Sequence, residues 1–366
     1  MKIAILGTRG IPARYGGFET LAEELSARLA GRGHDVTVYT RSRYAEPGRS
    51  EWRGARIRVL PAVPTKYFDT VSHTFLSSLH AALEGFDAAL VCNAINALFC
   101  LPLKTSGARV ILNVDGIERQ RRKWSVAGRA AYRVSEVLSV VAADAVVADA
   151  RTIQDYYRER YGAASAFIPY GGDLSPPQGD ETLRALGLRP ERYILYVSRL
   201  EPENNADIVV RAYREVPGDL PLVIVGDAPY ARDYIARVRS AADARVLFPG
   251  AIYGDGYRQL LAHAAVYVQA TEVGGTHPAL VEALGFGRVV CYHASPENDE
   301  VARGVALPFD VNRPAGIARL LRDVLNDPAS YSVFQERARR RVQENYRWDD
   351  VADRYEALLE GKSVLP

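Results

Sequence analysis

The chain has 366 residues, 48% hydrophobic and 25% charged, which is enough apolar material for packed cores and enough length for two domains of ordinary size. This excludes a disordered or fibrous chain, no run approaches a membrane span, and Cys92, Cys100 and Cys291 lack zinc or redox spacing, which excludes a disulfide scaffold and fits buried thiols in a reducing cytoplasm. The net charge is only +2, but the 46 Lys and Arg and 44 Asp and Glu split as 23 and 16 up to Gly172, leaving 23 and 28 after it, so the halves carry +7 and −5. A basic first half suits a phosphorylated acceptor or anionic lipid at the inner face of a membrane; nucleic acid would call for a stronger, more continuous basic surface.

The opening run MKIAILG is short, lacks a small-residue cleavage site and reads as a buried first strand, not a leader. The loop TRGIPARYGG follows, with Gly7, Gly10, Gly16 and Gly17 too widely spaced for the tight GxGxxG turn of a nicotinamide or flavin enzyme. Gly16 and Gly17 instead lead into a helix over residues 18–29, where glycine lets a ligand approach backbone N–H groups at a helix start. A bare flexible turn is the plainer alternative. Arg14, Tyr15 and Glu19 of this loop and helix are candidates for the acceptor side.

DVTVYT and ARIRVL read as strands, residues 71–83 as a helix, and AALVC and ARVILNV as further strands. After the last of these stands NVDGIE. Asp115 at a strand end can hold a sugar hydroxyl, orient an acceptor or take its proton, with Glu118 beside it; an aspartate before glycine also suits an ordinary β-turn. Arg119, Arg121, Arg122, Lys123 and Trp124 form a basic, aromatic run suited to a lipid-linked diphosphate or to a solvated helix face. A helix over 129–141 and the strand DAVVAD complete an alternation that argues for right-handed βαβ units and a parallel sheet.

Residues 169–177, PYGGDLSPP, read as an interdomain linker, after which the alternation restarts with YILYVS. The loop SRLEPENN places Arg199 at a strand end, where a guanidinium fork suits phosphate oxygens. Asn204 is a candidate donor contact and Asn205 a helix cap. A helix over 207–213, the strand LPLVIVG, a helix over 231–241 and the strand RVLFPG follow. Tyr253, just after, can stack on a nucleobase or sit as an exposed turn residue. The strand AVYVQA then leads into EVGGTHPALVE. Gly275, Thr276 and His277 precede a helix starting at Pro278, where proline lacks only an N–H that the helix leaves free. A diphosphate can rest on the amides of Thr276, His277 and Ala279, and one turn on Glu282 can accept from two vicinal ribose hydroxyls. Trp348, Val351, Tyr355 and Leu358 recur at helical spacing in the last stretch. No P-loop, GxSxG, HExxH or metal-ligand constellation occurs.

On GTRGIPARYGGFET, DGIERQRRKW, SRLEPENN and VGGTHPALVEALGFG, which span essentially the whole chain, the sequence resembles the retaining GT-B glycosyltransferases of family 4, and among them bacterial β-1,4-L-rhamnosyltransferases of capsule and exopolysaccharide assembly. The resemblance implies two Rossmann-like doubly wound domains facing a cleft, bounded at 1–172 and 173–345, with residues 346–366 packing back on the first. By it Gly16 and Gly17 border the donor, Arg199 contacts the diphosphate and Glu282 holds the ribose, so that Asp115, Arg199 and Glu282 are the candidate catalytic residues. Two departures stand out: Asn204 occupies the place of a common lysine, and the usual E-x7-E pair would need an acid at Gly274, whereas Glu272 lies two residues early. Asp115 stands where many relatives have a histidine. The expected activity is metal-independent transfer of a sugar, L-rhamnose from dTDP-L-rhamnose, onto a saccharide or polyprenyl-diphosphate-linked acceptor, with no cofactor and no nucleic-acid partner. Donors based on UDP or GDP, a sugar-nucleotide 2-epimerase and a catalytically silent sugar-nucleotide binder are the alternatives.

Overall fold

The computed structural model describes residues 1–14, 16–65, 68–121 and 124–364. The chain divides into two compact units, one formed by Met1–Tyr170 with Trp348–Pro366 and the other by Gly171–Arg347.

In the first unit the elements run β1 (Lys2–Leu6), α1 (Gly17–Gly31), β2 (Asp35–Arg41), β3 (Glu51–Trp52), β4 (Ala55–Leu60), α2 (Phe68–Glu84), β5 (Ala88–Cys92), α3 (Cys100–Thr105), β6 (Arg109–Asn113), α4 (Val126–Ala142), β7 (Ala145–Ala148), α5 (Arg151–Tyr161) and β8 (Ala166–Phe167). The strands lie in the order β3-β4-β2-β1-β5-β6-β7-β8, parallel except for the β3–β4 pair. Apolar runs such as Ile3–Leu6 and Ala88–Cys92 are wholly buried, as parallel strands covered on both faces must be. One cover is α1 with the final helix, packed through Leu21, Leu25 and Leu29 against the sheet; the other is the α2-to-α5 side, through Ala81, Leu103, Ala142 and Ile153.

The second unit runs α6 (Glu181–Ala185), β9 (Ile194–Val197), α7 (Ala206–Arg214), β10 (Leu222–Val225), α8 (Arg232–Ser240), β11 (Val246–Gly250), α9 (Gly254–Ala262), β12 (Val266–Gln269), α10 (Pro278–Gly285), β13 (Val289–His293), α11 (Pro296–Ala302), β14 (Leu307–Phe309), α12 (Pro314–Asn326) and α13 (Ser332–Asn345). Its sheet is fully parallel in the order β11-β10-β9-β12-β13-β14. Gly172 bridges Arg347 where the chain enters and leaves this unit. The last helix, α14 (Trp348–Leu359), belongs to the first unit, where Trp348, Val351 and Tyr355 join the apolar layer and Asn113 donates to the Tyr355 hydroxyl at 2.6 Å.

Strand order reverses between β1 and β5 in the first unit and between β9 and β12 in the second. Ligands of open parallel sheets bind beyond strand carboxyl ends at such switch points. The loops that follow these four strands are therefore the places where chemistry belongs.

Candidate functional site

In the second unit the β9 and β12 strand ends carry residues 198–205 and 270–277. The two loops are joined directly: the backbone N–H of Glu272 donates to the Glu203 carbonyl at 3.0 Å, and the side-chain amide of Asn205 donates to the Ala270 carbonyl at 2.9 Å. Asn205 holds φ 58°, a left-handed conformation that asparagine tolerates better than most residues, and starts α7. Asn204 is buried, its amide donating to the Arg199 carbonyl at 2.6 Å while its own carbonyl accepts from the Tyr196 hydroxyl at 2.6 Å. The Asn204 side chain thus braces the turn that presents Arg199. The guanidinium of Arg199 is 26% exposed and lies 3.4 Å from Glu201, a partner that the sequence reading did not single out.

Behind Arg199, Gly226 takes φ 147°, and a Cβ there would fall 1.8 Å from the Ser198 carbonyl. Only glycine allows β9 and β10 to end that close together. In the neighbouring loop a Cβ at Gly274 would run into the His277 ring, 2.4 Å away. Thr276 is buried, His277 caps α10 and Pro278 opens it. The α10 amino terminus, with its outward backbone N–H groups and positive dipole end, therefore starts beside the Arg199 loop. A guanidinium and a helix start carried by adjoining loops suit an anion with several oxygens.

One turn into α10, half-buried Glu282 accepts a hydrogen bond from the Tyr257 hydroxyl on α9. Burial, reinforced by this carboxylate, drives the Tyr257 pKa well up, so the phenol stays a donor and fixes one Glu282 oxygen. Tyr257 is a second residue that sequence reasoning missed, 25 positions away from its partner with no motif to join them. Tyr253, 43% exposed, stands just before α9. Among the described residues no group of three or more His, Cys, Asp or Glu is placed to hold a metal ion.

In the first unit the loop after β1 is pinned from both sides. Arg41, buried, donates from Nε to the Thr8 carbonyl and from Nη1 to Asp69 at 2.6 Å. From the following helix Glu19 accepts the Arg9 N–H at 2.8 Å and Glu23 accepts that of Ala13. Glu19 is thus buried within the loop, and Arg14 pairs with Glu46. Gly16 is extended at φ −168° and precedes α1, which Gly17 opens. Tyr15 lies outside the described residues. Asp115 has φ 56°, and its N–H donates to Asn113 Oδ1 at 2.8 Å. Asn113 thereby ties this turn to Tyr355 of α14. Glu118 accepts from buried Arg121, Arg119 lies 3.2 Å from Glu136, and Trp124 packs on Tyr132 with centroids 5.0 Å apart. Much of the basic run is therefore turned inward; Arg122 and Lys123 lie outside the described residues.

At the β1–β5 switch point the 3-10 helix Ala94–Phe99 begins after Asn93, whose φ is 75°. Buried Asn96 donates to the Cys92 carbonyl at 2.7 Å, and a Cβ at Gly7 would fall 2.4 Å from that carbonyl. Asn93 and Asn96 went unnoticed in the sequence because an apolar run, not a motif, precedes them.

Residues 16–171 match the family model of the glycosyl transferase 4-like domain, and residues 180–341 that of glycosyl transferases group 1. None of the curated proteins matches the chain in sequence. Among solved structures, sucrose-phosphate synthase from Thermosynechococcus elongatus matches with a TM-score of 0.83 at 18% identity over 98% of each chain. HepE of Anabaena, solved in complex with UDP-glucose, matches at 0.81 and 17% identity over 99% of this chain and 100% of its own. An α,α-trehalose-phosphate synthase from Burkholderia xenovorans gives 0.75 at 12% identity over 99% of this chain and 100% of its own. These likenesses show the fold.

Proposed function

Because the chain belongs to the glycosyltransferases of the GT-B fold, we propose that its second unit binds a nucleoside-diphosphate sugar, dTDP-L-rhamnose, and that its first unit binds a saccharide or polyprenyl-diphosphate-linked acceptor. The observation that carries this reading is the joining of the Arg199 loop to the α10 loop by the Glu272–Glu203 hydrogen bond. That bond ties the loop that carries Arg199 to the loop that leads into α10, which supports a diphosphate on the guanidinium and the helix start, with Glu282 one turn along for a ribose.

In the proposed reaction the bond from the anomeric carbon to the diphosphate oxygen breaks and a bond to the acceptor oxygen forms on the same face. The acceptor proton passes to the departing diphosphate. Arg199 and the α10 amides stabilise the growing charge electrostatically, so no resident metal or cofactor is called on. Asp115, held by Asn113, positions the acceptor. The case for rhamnose rests on the rhamnosyltransferase-like sequence stretches, with Asn204 and Gly274 at the two departures; HepE, solved with UDP-glucose, makes UDP-sugars the second donors to try.

A melting-temperature screen against nucleotides and sugar nucleotides, followed by transfer assays, tests this. Ligand binding to the native state must raise its melting point. A shift with dTDP-L-rhamnose and product formed only when acceptor is added support the reading. Conversion of the donor without acceptor would point to an epimerase, and binding without either reaction to a silent binder.

A further inference from the structure

On the outer layer of the first unit two helices are built inside out. The buried positions of α2 are Asp69, His73, Thr74, Ser77, Ser78 and Ala81, whereas Phe68, Phe75, Leu76, Leu79 and Leu83 point outward, Leu83 being 90% exposed. In α4 the buried positions are Tyr132, Ser135, Glu136, Ser139 and Ala142, and the exposed ones are valine, alanine and arginine alone. Val126, Val134, Val137 and Val141 follow the same spacing along α4 as Phe68, Leu76, Leu79 and Leu83 along α2, one stripe on each helix. The 3-10 helix Ala94–Phe99 packs against both α2 and α4, and it and α3 add exposed Leu98 and Leu101. Eleven of the seventeen large hydrophobic side chains exposed among the described residues thus fall between positions 68 and 141. A helix facing water turns its apolar stripe inward. Serines inside and valines and leucines outside, on two helices bridged by the Ala94–Phe99 turn, mark a face that meets an apolar medium.

The charge on this face selects the medium. Beside the valine stripe opens a depression of about 540 Å³ lined by Arg119, Gln120, Val126, Arg129, Ala130 and Arg133; Arg119 is paired with Glu136, and Arg129 and Arg133 line it with no acidic residue beside them. Apolar side chains flanked by arginines at the polar edge are what an interfacial helix presents to an anionic bilayer. A second copy of this face would bring arginine against arginine. Among the described residues no helix is long and apolar enough to cross a membrane, so the contact is one of lying on the surface.

We propose that the outer face of α2, the Ala94–Phe99 turn and α4 docks on an anionic lipid bilayer, the stripes entering the headgroup–acyl boundary and Arg129 and Arg133 holding lipid phosphate. The proposal stands apart from the transfer reading: it concerns no residue assigned there to donor or acceptor, and its test needs no sugar.

The test is sedimentation of the full chain with vesicles of phosphatidylcholine alone and of phosphatidylcholine with 30% phosphatidylglycerol, a composition of about one anionic lipid in three. Most of the protein is expected to pellet with the anionic vesicles and little with the neutral ones. The double variant Leu83→Asp/Val126→Asp, at two of the most exposed positions, should keep the wild-type melting temperature and lose about tenfold or more in binding. Arg129→Glu/Arg133→Glu, a second pair with surface positions only, should lose at least as much and show a weaker dependence on salt. Wild type left in the supernatant with anionic vesicles overturns the proposal, as does binding by both variants that equals that of wild type. A wild-type dimer in solution that the Leu83→Asp/Val126→Asp variant splits, with no vesicle binding, overturns it in favour of a second copy.

Discussion

The Glu272 N–H and the Glu203 carbonyl, 3.0 Å apart, join two loops separated by almost seventy residues of chain. Glu203 is fully buried and sits in the 3-10 turn that also carries Asn204 and that Asn205 follows, so the bond is a rigid seam between the loops after β9 and β12. A site that must match a diphosphate needs its donors fixed in advance, because donors that reorganise at the moment of reaction lose their electrostatic advantage. Four hydrogen bonds, donated by the Glu272 N–H, the Asn205 and Asn204 side-chain amides and the Tyr196 hydroxyl, hold the Arg199 loop and the approach to α10 in place.

Asn205→Ala removes the buried bond to the Ala270 carbonyl and puts alanine in the left-handed region. The two losses together should cost about 2 kcal/mol or more and lower the melting temperature by about 5 °C. Thermal unfolding followed by circular dichroism checks this.

Gly226→Ala forces a Cβ against the Ser198 carbonyl from a backbone angle that L-residues rarely adopt. The loop bearing Arg199 must move, so nucleotide affinity should fall about tenfold or more while the first unit keeps its structure. Titration calorimetry with a nucleoside diphosphate, beside proteolysis of the first unit, reads both.

Glu282→Ala leaves a ribose without its carboxylate, and a hydrogen bond to a charged group is worth about 1.5–3 kcal/mol. We expect kcat/KM to fall about tenfold or more. Tyr257→Phe, which only frees one carboxylate oxygen, should cost less, and a larger loss for Tyr257→Phe than for Glu282→Ala would contradict the assignment.

His73, buried on α2, has a pKa lowered to about 4 by burial first and by the nearby Arg41 charge second. In the unfolded chain the imidazole titrates near 6.5, so between these values the unfolded state binds more protons and stability rises with pH. The contribution is whole above about pH 6.5 and is lost as the pH falls toward 4. Urea unfolding from pH 7 to pH 4 should show a shallower loss for His73→Gln than for wild type.

Much of the fold was legible because parallel strands buried on both faces leave unbroken apolar runs, as in Ile3–Leu6 and Leu222–Val225, and because helix starts carry chemistry, as at Pro278. The helices of residues 314–345 escaped reading, and so did β14, a three-residue edge strand too short to show a period. For α2 and α4 periodicity located the helices but not their polarity, since a stripe has the same spacing whichever side it faces. At the site, the loops after β9 and β12 could be picked out by their glycines, proline and arginine. The inward turn of the Asn204 amide, the burial of Glu19 under the Arg9 N–H and the grip of Tyr257 on Glu282 are tertiary facts: each depends on a partner that sequence spacing does not point to.

The most direct measurement is a crystal structure with a bound nucleoside diphosphate, grown from the full chain. The diphosphate oxygens should lie within hydrogen-bond distance of the Arg199 guanidinium and of the backbone amides at 276–279, with the ribose hydroxyls on Glu282; in the same preparation Arg199→Ala should lose about 2 kcal/mol or more of transition-state stabilisation, roughly thirtyfold in turnover. A nucleotide lodged away from those two loops, or an Arg199→Ala enzyme within about threefold of wild type, a gap of well under 1 kcal/mol, would contradict the account.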